Sequence, residues 1–309
     1  MKFFRNTTEI AIEEDTVITL GKFDGLHKGH RFLMEGLRME KQKHHLKSVV
    51  FTFSTYPKDE IEHKKHDVLL TLKEKEALFA RAGVDYVVEY PFTKEIRCME
   101  AEEFVDMLVT RLHVKVFVIG TDFFFGYQKS GNYQLLQDLS AHYGFQVIII
   151  TKKQVDGIDI SSTRIRGLIK QGQIEKANDL LGYPYFFEGF VETGNQLGRT
   201  IGIPTVNLYP GENKLLPPFG VYCSKVEIGN RSYLGLTNIG VKPTVGEKNP
   251  VSVETFILDF NEMIYGESIR VSLQAYIREE KKFSSLDSLK VQIEKDIETI
   301  KNYKNVTKC

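Results

Sequence analysis

The sequence predicts two joined folds. Residues 1–183 form a doubly wound parallel-sheet α/β domain, and residues 184–309 form a small antiparallel β-barrel with a terminal α-helix. Three observations carry this. β-Branched and aromatic runs alternate with amphipathic segments up to about residue 183. The texture then shifts to short strand-like runs separated by Gly, Pro and Asn. The last segment carries apolar residues at helical spacing.

In the first half, "TVITL" (16–20), "KSVVFTF" (47–53), "VDYVVEY" (84–90), "VKVFVIG" (114–120) and "FQVIII" (145–150) read as strands. Residues 30–42, 71–82, 101–112 and 132–142 read as the helices between them. Phe104, Leu108 and Leu112, for example, recur at i, i+4, i+8 on one face. Continuous apolar strands separated by helices belong to a parallel sheet covered on both sides. Such sheets bind ligands at the carboxyl ends of their strands, beside a switch point. In the second half, "FFEGFVET", "GVYCSKVEIG", "RSYLGLTNIG", "VSVETFILDF" and "IRVSLQAYI" read as antiparallel strands. Leu286, Leu289, Ile293, Ile297 and Ile300 then line one face of a serine-capped helix.

Lys+Arg and Asp+Glu both number 41. They divide as 26 + 15 on either side of residue 183 for each sign, so neither half carries a basic field for nucleic acid. Any anion site is therefore local. Cys98, Cys223 and Cys309 are scattered, which argues against a zinc site or a disulfide framework and suits a reducing, cytoplasmic setting. The N-terminal residues lack the apolar core of a signal peptide, and no apolar run approaches a membrane span.

"GKFDGLHKGH" (21–30) follows the first predicted strand and precedes a helix. His27 and His30 are spaced i, i+3 with Lys and Gly between, unlike a metalloprotease pair, and no third ligand is near. Gly21 and Gly25 permit tight turns, and Gly29 permits close approach of a ligand. A helix starting near His30 points its amides at an anion. The stretch therefore reads as a phosphate grip, with Phe23 and Asp24 inside it. "DISSTRIRGLI" (159–169) places Ser161, Ser162 and Thr163 at a helix start. Capping explains the hydroxyls. It does not explain Arg164 and Arg166, cations at the positive end of a helix dipole. A bound phosphate offsets their cost.

With "GTDFFFG" (120–126) between them, these two motifs resemble the nucleotidyltransferase half of the bacterial bifunctional riboflavin kinase/FAD synthetases. The resemblance implies that His27, His30, Ser162, Thr163 and Arg166 bind ATP phosphates, with His27, His30 and Arg166 catalytic. In that loop Asp122, Phe123 and Phe125 are expected at the flavin, with the two rings walling the flavin or the adenine, or else packing in the core. "ALFARAGVDYVVEYPFT" (77–93) extends the likeness. The chain departs from the family at "TFSTYP" (52–57), where TFxPHP is usual.

"LGRTIGIPTVNL" (197–208) sets Thr205 and Asn207 two residues apart on an extended segment, facing one way. A hydroxyl and an amide carbonyl there suit a hard cation such as Mg²⁺ shared with substrate phosphates. "PPFGVYC" (217–223), "NIGVKPTVG" (238–246), "VETFILDF" (253–260) and "IYG" (264–266) follow in the order found in the riboflavin kinase half of the same family. The resemblance implies Thr205 and Asn207 as metal ligands and Glu254 as catalytic base. It implies Gly198, Arg199, Gly202, Gly220 and Tyr222 at the nucleotide. Phe256 stands where the family commonly has His.

The implied activity is FAD synthesis. ATP phosphorylates riboflavin to FMN in the C-terminal half, and ATP then adenylylates FMN to FAD in the N-terminal half. The partners are ATP and flavins, without nucleic acid or membrane. The rival readings are a FAD synthetase with an impaired kinase half, another HxGH transferase, and a flavin- or nucleotide-sensing regulator. The β-rich second half argues against the other transferases.

Overall fold

The structure is a computed structural model, and it describes residues 1–54, 66–151, 154–155, 158–193, 202–211, 213–241 and 251–306. The chain divides into two compact units, Met1–Ser162 and Thr163–Cys309.

In chain order the first unit contains β1 (Lys2–Arg5), β2 (Thr16–Leu20), α1 (Lys28–His44), β3 (Lys47–Phe53), α2 (Leu72–Arg81) and β4 (Tyr86–Tyr90). It continues with α3 (Lys94–Cys98), α4 (Ala101–Leu112), β5 (Val114–Gly120), α5 (Tyr133–Tyr143), β6 (Gln146–Ile150), β7 (Gln154–Val155) and β8 (Ile158–Asp159). Six strands form one parallel sheet in the order β1-β4-β3-β2-β5-β6. The order runs outward from β2 in one direction and from β5 in the other. The carboxyl ends of β2 and β5 therefore flank the switch point, where ligands bind in such sheets. β2 is buried at every position, as its uninterrupted apolar run requires. Its floor is a set of aromatic rings. Phe51 meets Tyr90 and Phe104, and Phe117 meets Phe145. Each such buried ring contributes about 1.5–3 kcal/mol.

Three local departures from expectation have physical causes. β1 went unread because four residues with two charges show no usable periodicity; it pairs only with β4, at the sheet edge. β4 starts at Tyr86, where its paired register with β1 and β3 begins, although the Asp85 backbone just before it still bonds to Ser48 and Lys2. The Asp85 carboxylate accepts from the Ser48 amide and hydroxyl, both at 2.8 Å, and pairs with Lys41 at 2.7 Å. Lys41 and Ser48 hold that carboxyl below its ordinary range despite burial. α1 starts at Lys28, before His30, because His27 caps it.

The second unit contains α6 (Ser162–Lys170, whose first residue closes the first unit), α7 (Ile174–Leu181), β9 (Phe186–Phe190), β10 (Thr205–Leu208) and β11 (Gly220–Ile228). Then come β12 (Arg231–Val241), β13 (Val251–Ile257), β14 (Ser268–Glu279) and α8 (Leu286–Val306). The strands form an antiparallel sheet in the order β10-β13-β12-β11-β14-β9. A bridge between Glu192 and Asn207 joins its two edges and curls the sheet into a barrel. α8 lays Ile293, Ile297, Ile300 and Tyr303 on Val221, Cys223, Leu236, Leu258 and Ala275. The Arg278 guanidinium grips Asp296 of α8 at 2.7 Å, and only 4% of the Asp296 side chain is exposed. Ser285 caps the helix by accepting from the Ser288 amide. Leu286, expected on the packed face, is exposed instead, because it lies in the first turn, beyond the packed stretch. α7 packs on β14, with the Asn178 amide donating to the Leu273 carbonyl at 2.9 Å.

Candidate active sites

The first site is made by the loop between β2 and α1. Phe23, Gly25 and Leu26 all take positive φ, at 49°, 84° and 36°. Only Gly25 does so without steric cost, so the loop stores strain beside the switch point. The loop ends on His27 with φ −63° and ψ 172°, an N-cap geometry. His27 Nδ1 accepts the His30 amide at 3.3 Å. The two imidazoles stack with centroids 3.7 Å apart and planes inclined by 14°. Gly29 makes this fold-back possible, since a Cβ there would lie 3.1 Å from the His27 ring. The space expected for a ligand over Gly29 is thus taken by His27 itself. Burial, with His27 alongside, holds the His30 pKa well below the ordinary imidazole value. His30 Nδ1 is buried and makes no hydrogen bond to the protein.

Phe23 and Asp24 do not face the opening as expected. Phe23 is fully buried, with its ring over Gly21 and against Phe79 and His30. Asp24 is 3% exposed, and Oδ1 accepts from the Leu69 and Leu70 amides at 2.9 and 3.3 Å. A carboxylate aimed at phosphate would repel it; here the charge is spent on backbone. The Asp24 carbonyl accepts from Ser162 Oγ at 2.8 Å. The first unit thereby holds Ser162, from the start of the second phosphate motif, against the loop of the first. Thr163, Arg164 and Arg166 follow on α6, in the second unit.

The "GTDFFFG" loop leaves the carboxyl end of β5, beside the His27 loop in sheet order. Asp122 is exposed. Phe123 and Phe125 stack at 5.5 Å, sharing a face as their spacing requires, but Phe125 is 8% exposed and packs on Phe104. Its ring also fills the space over Gly131. Phe125 is therefore core. Phe124, not anticipated, is 53% exposed. The run of three Phe carried the signal, since alternation sends the middle ring the other way.

The second site is made by strand register. Asn207 of β10 stands opposite Glu254 of β13, and Glu254 stands opposite Asn238 of β12. Directly paired residues share a face of the sheet. Thr205, two residues before Asn207, reaches across to the same carboxylate, with Oγ1 donating to Glu254 Oε1 at 2.6 Å. Asn238 joins the row unforeseen, and its amide donates to Glu280 at 2.9 Å. Phe256 lies opposite Thr205 and Leu236, packed on the apolar core under α8. Gly202 precedes β10, and Gly220 opens β11. Tyr222, expected at the nucleotide, is fully buried, and its hydroxyl donates to the Pro218 carbonyl at 2.5 Å. Burial and neighbouring Tyr276 push its pKa up. Gly198, Arg199 and the tail of "TFSTYP" lie outside the described residues.

Among the described residues, no group of three or more His, Cys, Asp or Glu gathers as a metal site, and no helix is long and apolar enough to cross a membrane.

Two family models match in order, FAD synthetase over residues 9–164 and riboflavin kinase over 181–304. The bifunctional riboflavin kinase/FMN adenylyltransferase of Escherichia coli K12 is 37% identical, over 100% of this chain and 99% of the relative. That of Listeria monocytogenes is 35% identical, over 94% of this chain and 93% of the relative. A solved structure described as a macrolide-efflux protein from Streptococcus pneumoniae shares the fold, with TM-score 0.86 and 34% identity over 97% of this chain and 98% of that one. With full-length relatives and both family models in sequence, the chain belongs to the bifunctional riboflavin kinase/FMN adenylyltransferase family.

Proposed function

We infer that this chain makes FAD from riboflavin in two steps, with a separate site for each step. ATP and riboflavin give FMN and ADP, then ATP and FMN give FAD and pyrophosphate. The observation that carries this is the presence of both sites in one chain: the His27–His30 turn at the switch point, and the Glu254 row on the barrel.

In the kinase step Glu254 takes the proton of the ribityl hydroxyl as that oxygen attacks the γ-phosphorus of ATP. Thr205 occupies Oε1, so Oε2 meets the hydroxyl. A Thr205 hydroxyl that gives its proton to Glu254 keeps its lone pairs for a cation. With the Asn207 carbonyl beside it, this is a neutral oxygen donor set that suits Mg²⁺ shared with substrate phosphates. Once bound, Mg²⁺ would offset the charge of those phosphates. Phe256 does not disturb this arrangement; it serves packing, and the Thr205–Glu254 contact stands without a polar neighbour there. That favours a working kinase over an impaired one.

In the adenylyl step the FMN phosphate attacks the α-phosphorus of ATP directly and pyrophosphate leaves. The residues position and stabilise charge rather than form covalent bonds. His27 and His30 hold phosphate oxygens at the helix start. Ser162, Thr163 and Arg166 serve the departing pyrophosphate. Exposed Phe124, in place of core Phe125, meets a planar ring. The scattered cysteines support a reducing, cytoplasmic setting for this chemistry. Incubating the protein with riboflavin, ATP and Mg²⁺ tests the reading. FMN should appear first and FAD after it, and failure to form either flavin would sink it.

A further inference from the structure

We propose that the two histidines of the turn have fixed and different proton roles: His27 stays a neutral Nε2–H donor, while His30 takes up a proton at Nδ1 when ATP phosphates enter. The inference rests on the reading that this turn grips those phosphates.

The asymmetry is geometric. His27 Nδ1 is the acceptor for the His30 amide at 3.3 Å, so the ring proton of neutral His27 sits on Nε2. Protonating Nδ1 would set a donor against a donor. It would undo the helix cap and place a cation at the positive end of α1. His27 is therefore locked in one tautomer by the backbone it caps. His30 has no such lock. Its Nδ1 is buried and without a hydrogen bond from the protein. The bare nitrogen is where a proton can be added without breaking a contact, and a phosphate oxygen is the partner it lacks.

In the free enzyme that proton is unfavourable. His27 stacks on His30 at 3.7 Å, and Phe23 covers another side at 5.3 Å. The titratable neighbour acting on His30 is His27. Asp24, in the same loop, turns its carboxylate to Leu69 and Leu70. Lys75 of α2 is coupled to Asp24 and to Glu89 of β4. Lys28 and Arg31 flank the pair on α1 itself, and Arg164 and Arg166 follow Ser162 on α6. A polyphosphate brings several negative charges to this spot and reverses the balance. One ring can then become cationic, and the cap decides which. The outcome is one neutral donor and one charged donor on the same phosphate chain, with proton uptake linked to ATP binding.

The test uses the full chain labelled with ¹⁵N at histidine, with long-range ¹H–¹⁵N spectra recorded across pH, with and without ATP and Mg²⁺ and without flavin. His27→Asn and His30→Asn assign the signals, and asparagine at position 27 preserves the cap. His27 should show Nε2–H and a bare Nδ1 throughout the folded range. The His30 midpoint should rise by about one pH unit or more on ATP addition, roughly tenfold in proton affinity. His30→Asn should also remove the pH dependence of kcat for FAD formation, whereas His27→Asn should lower kcat and keep the shape of the profile. If ATP shifts both rings' signals but leaves the His30 midpoint in place, or if His27 titrates instead, the proton assignment is wrong while the phosphate grip stands. If ATP disturbs neither ring, the grip itself is wrong.

Discussion

The two sites are built by opposite means. In the first unit one contiguous loop does the work: left-handed backbone at Phe23, Gly25 and Leu26, strained at Phe23 and Leu26, delivers His27 as a cap, and the cap aligns His30. In the second unit no local backbone feature makes the site. Thr205 and Glu254 are 49 residues apart, and three strands in register bring Thr205, Asn207, Glu254 and Asn238 onto one face. A loop site depends on the conformation of a few residues and fails locally. A register site depends on the whole sheet, so single side chains there can be changed with the scaffold intact.

The sharpest way to break this contrast is Glu254→Gln. Removing the base should lower FMN formation by about 10²–10⁴-fold. FAD formation from supplied FMN should be unchanged, and the melting temperature nearly so. Loss of both activities together would mean the sites are not separable.

Asp24→Ala attacks the loop site through its support. It frees the Leu69 and Leu70 amides, which cost about 1–3 kcal/mol when left unsatisfied. Urea melts should show that loss, and FAD formation should fall while the initial rate of FMN formation holds. A fall in FMN formation of equal size would contradict the loop's independence.

The pH dependence has a defined sign. Burial, with His27 alongside, keeps His30 in the folded chain from taking up a proton until well below the ordinary imidazole pKa of about 6.5. As pH falls through about 6.5, the unfolded chain binds a proton that the folded chain refuses. Stability contributed by neutral His30 is therefore present above that pH and lost below it, down to the folded pKa. His30→Asn should flatten this acid slope in urea midpoints taken between pH 8 and 5.5. An unchanged slope would show that burial of His30 carries no linkage.

Phe256→His should have the smallest effect. The ring is half-buried in apolar packing, so a loss of about 1 kcal/mol in stability is expected, with FMN formation altered less than twofold. A large gain in kinase rate would show that position 256 limits catalysis.

The same contrast explains what the sequence could disclose. The sheet strands, the barrel strands and the terminal helix were legible because periodicity and turn residues are local signals. "GKFDGLHKGH" was legible as a grip because its parts are contiguous. The inward turn of Phe23, Asp24 and Phe125 was not, since it depends on Phe79, Leu69, Leu70 and Phe104 from other elements. The burial of Tyr222, which the resemblance implied at the nucleotide, was hidden for the same reason, since Pro218 and Tyr276 from other parts of the barrel enclose it. Asn238 escaped notice because only register sets it beside Glu254. The family resemblance supplied the roles of Thr205, Asn207 and Glu254, and the sheet supplies the reason they can act together.

The central claim is that one chain holds two independent sites acting in series. Its most direct test is a chromatographic time course with riboflavin, ATP and Mg²⁺, run on the wild-type chain, Glu254→Gln and His30→Ala. Wild type should form FMN and then FAD. Glu254→Gln should form neither from riboflavin but make FAD when given FMN. His30→Ala should accumulate FMN, with FAD formation lowered about 10²–10³-fold. FMN formation lost in His30→Ala, or retained in Glu254→Gln, would contradict the account.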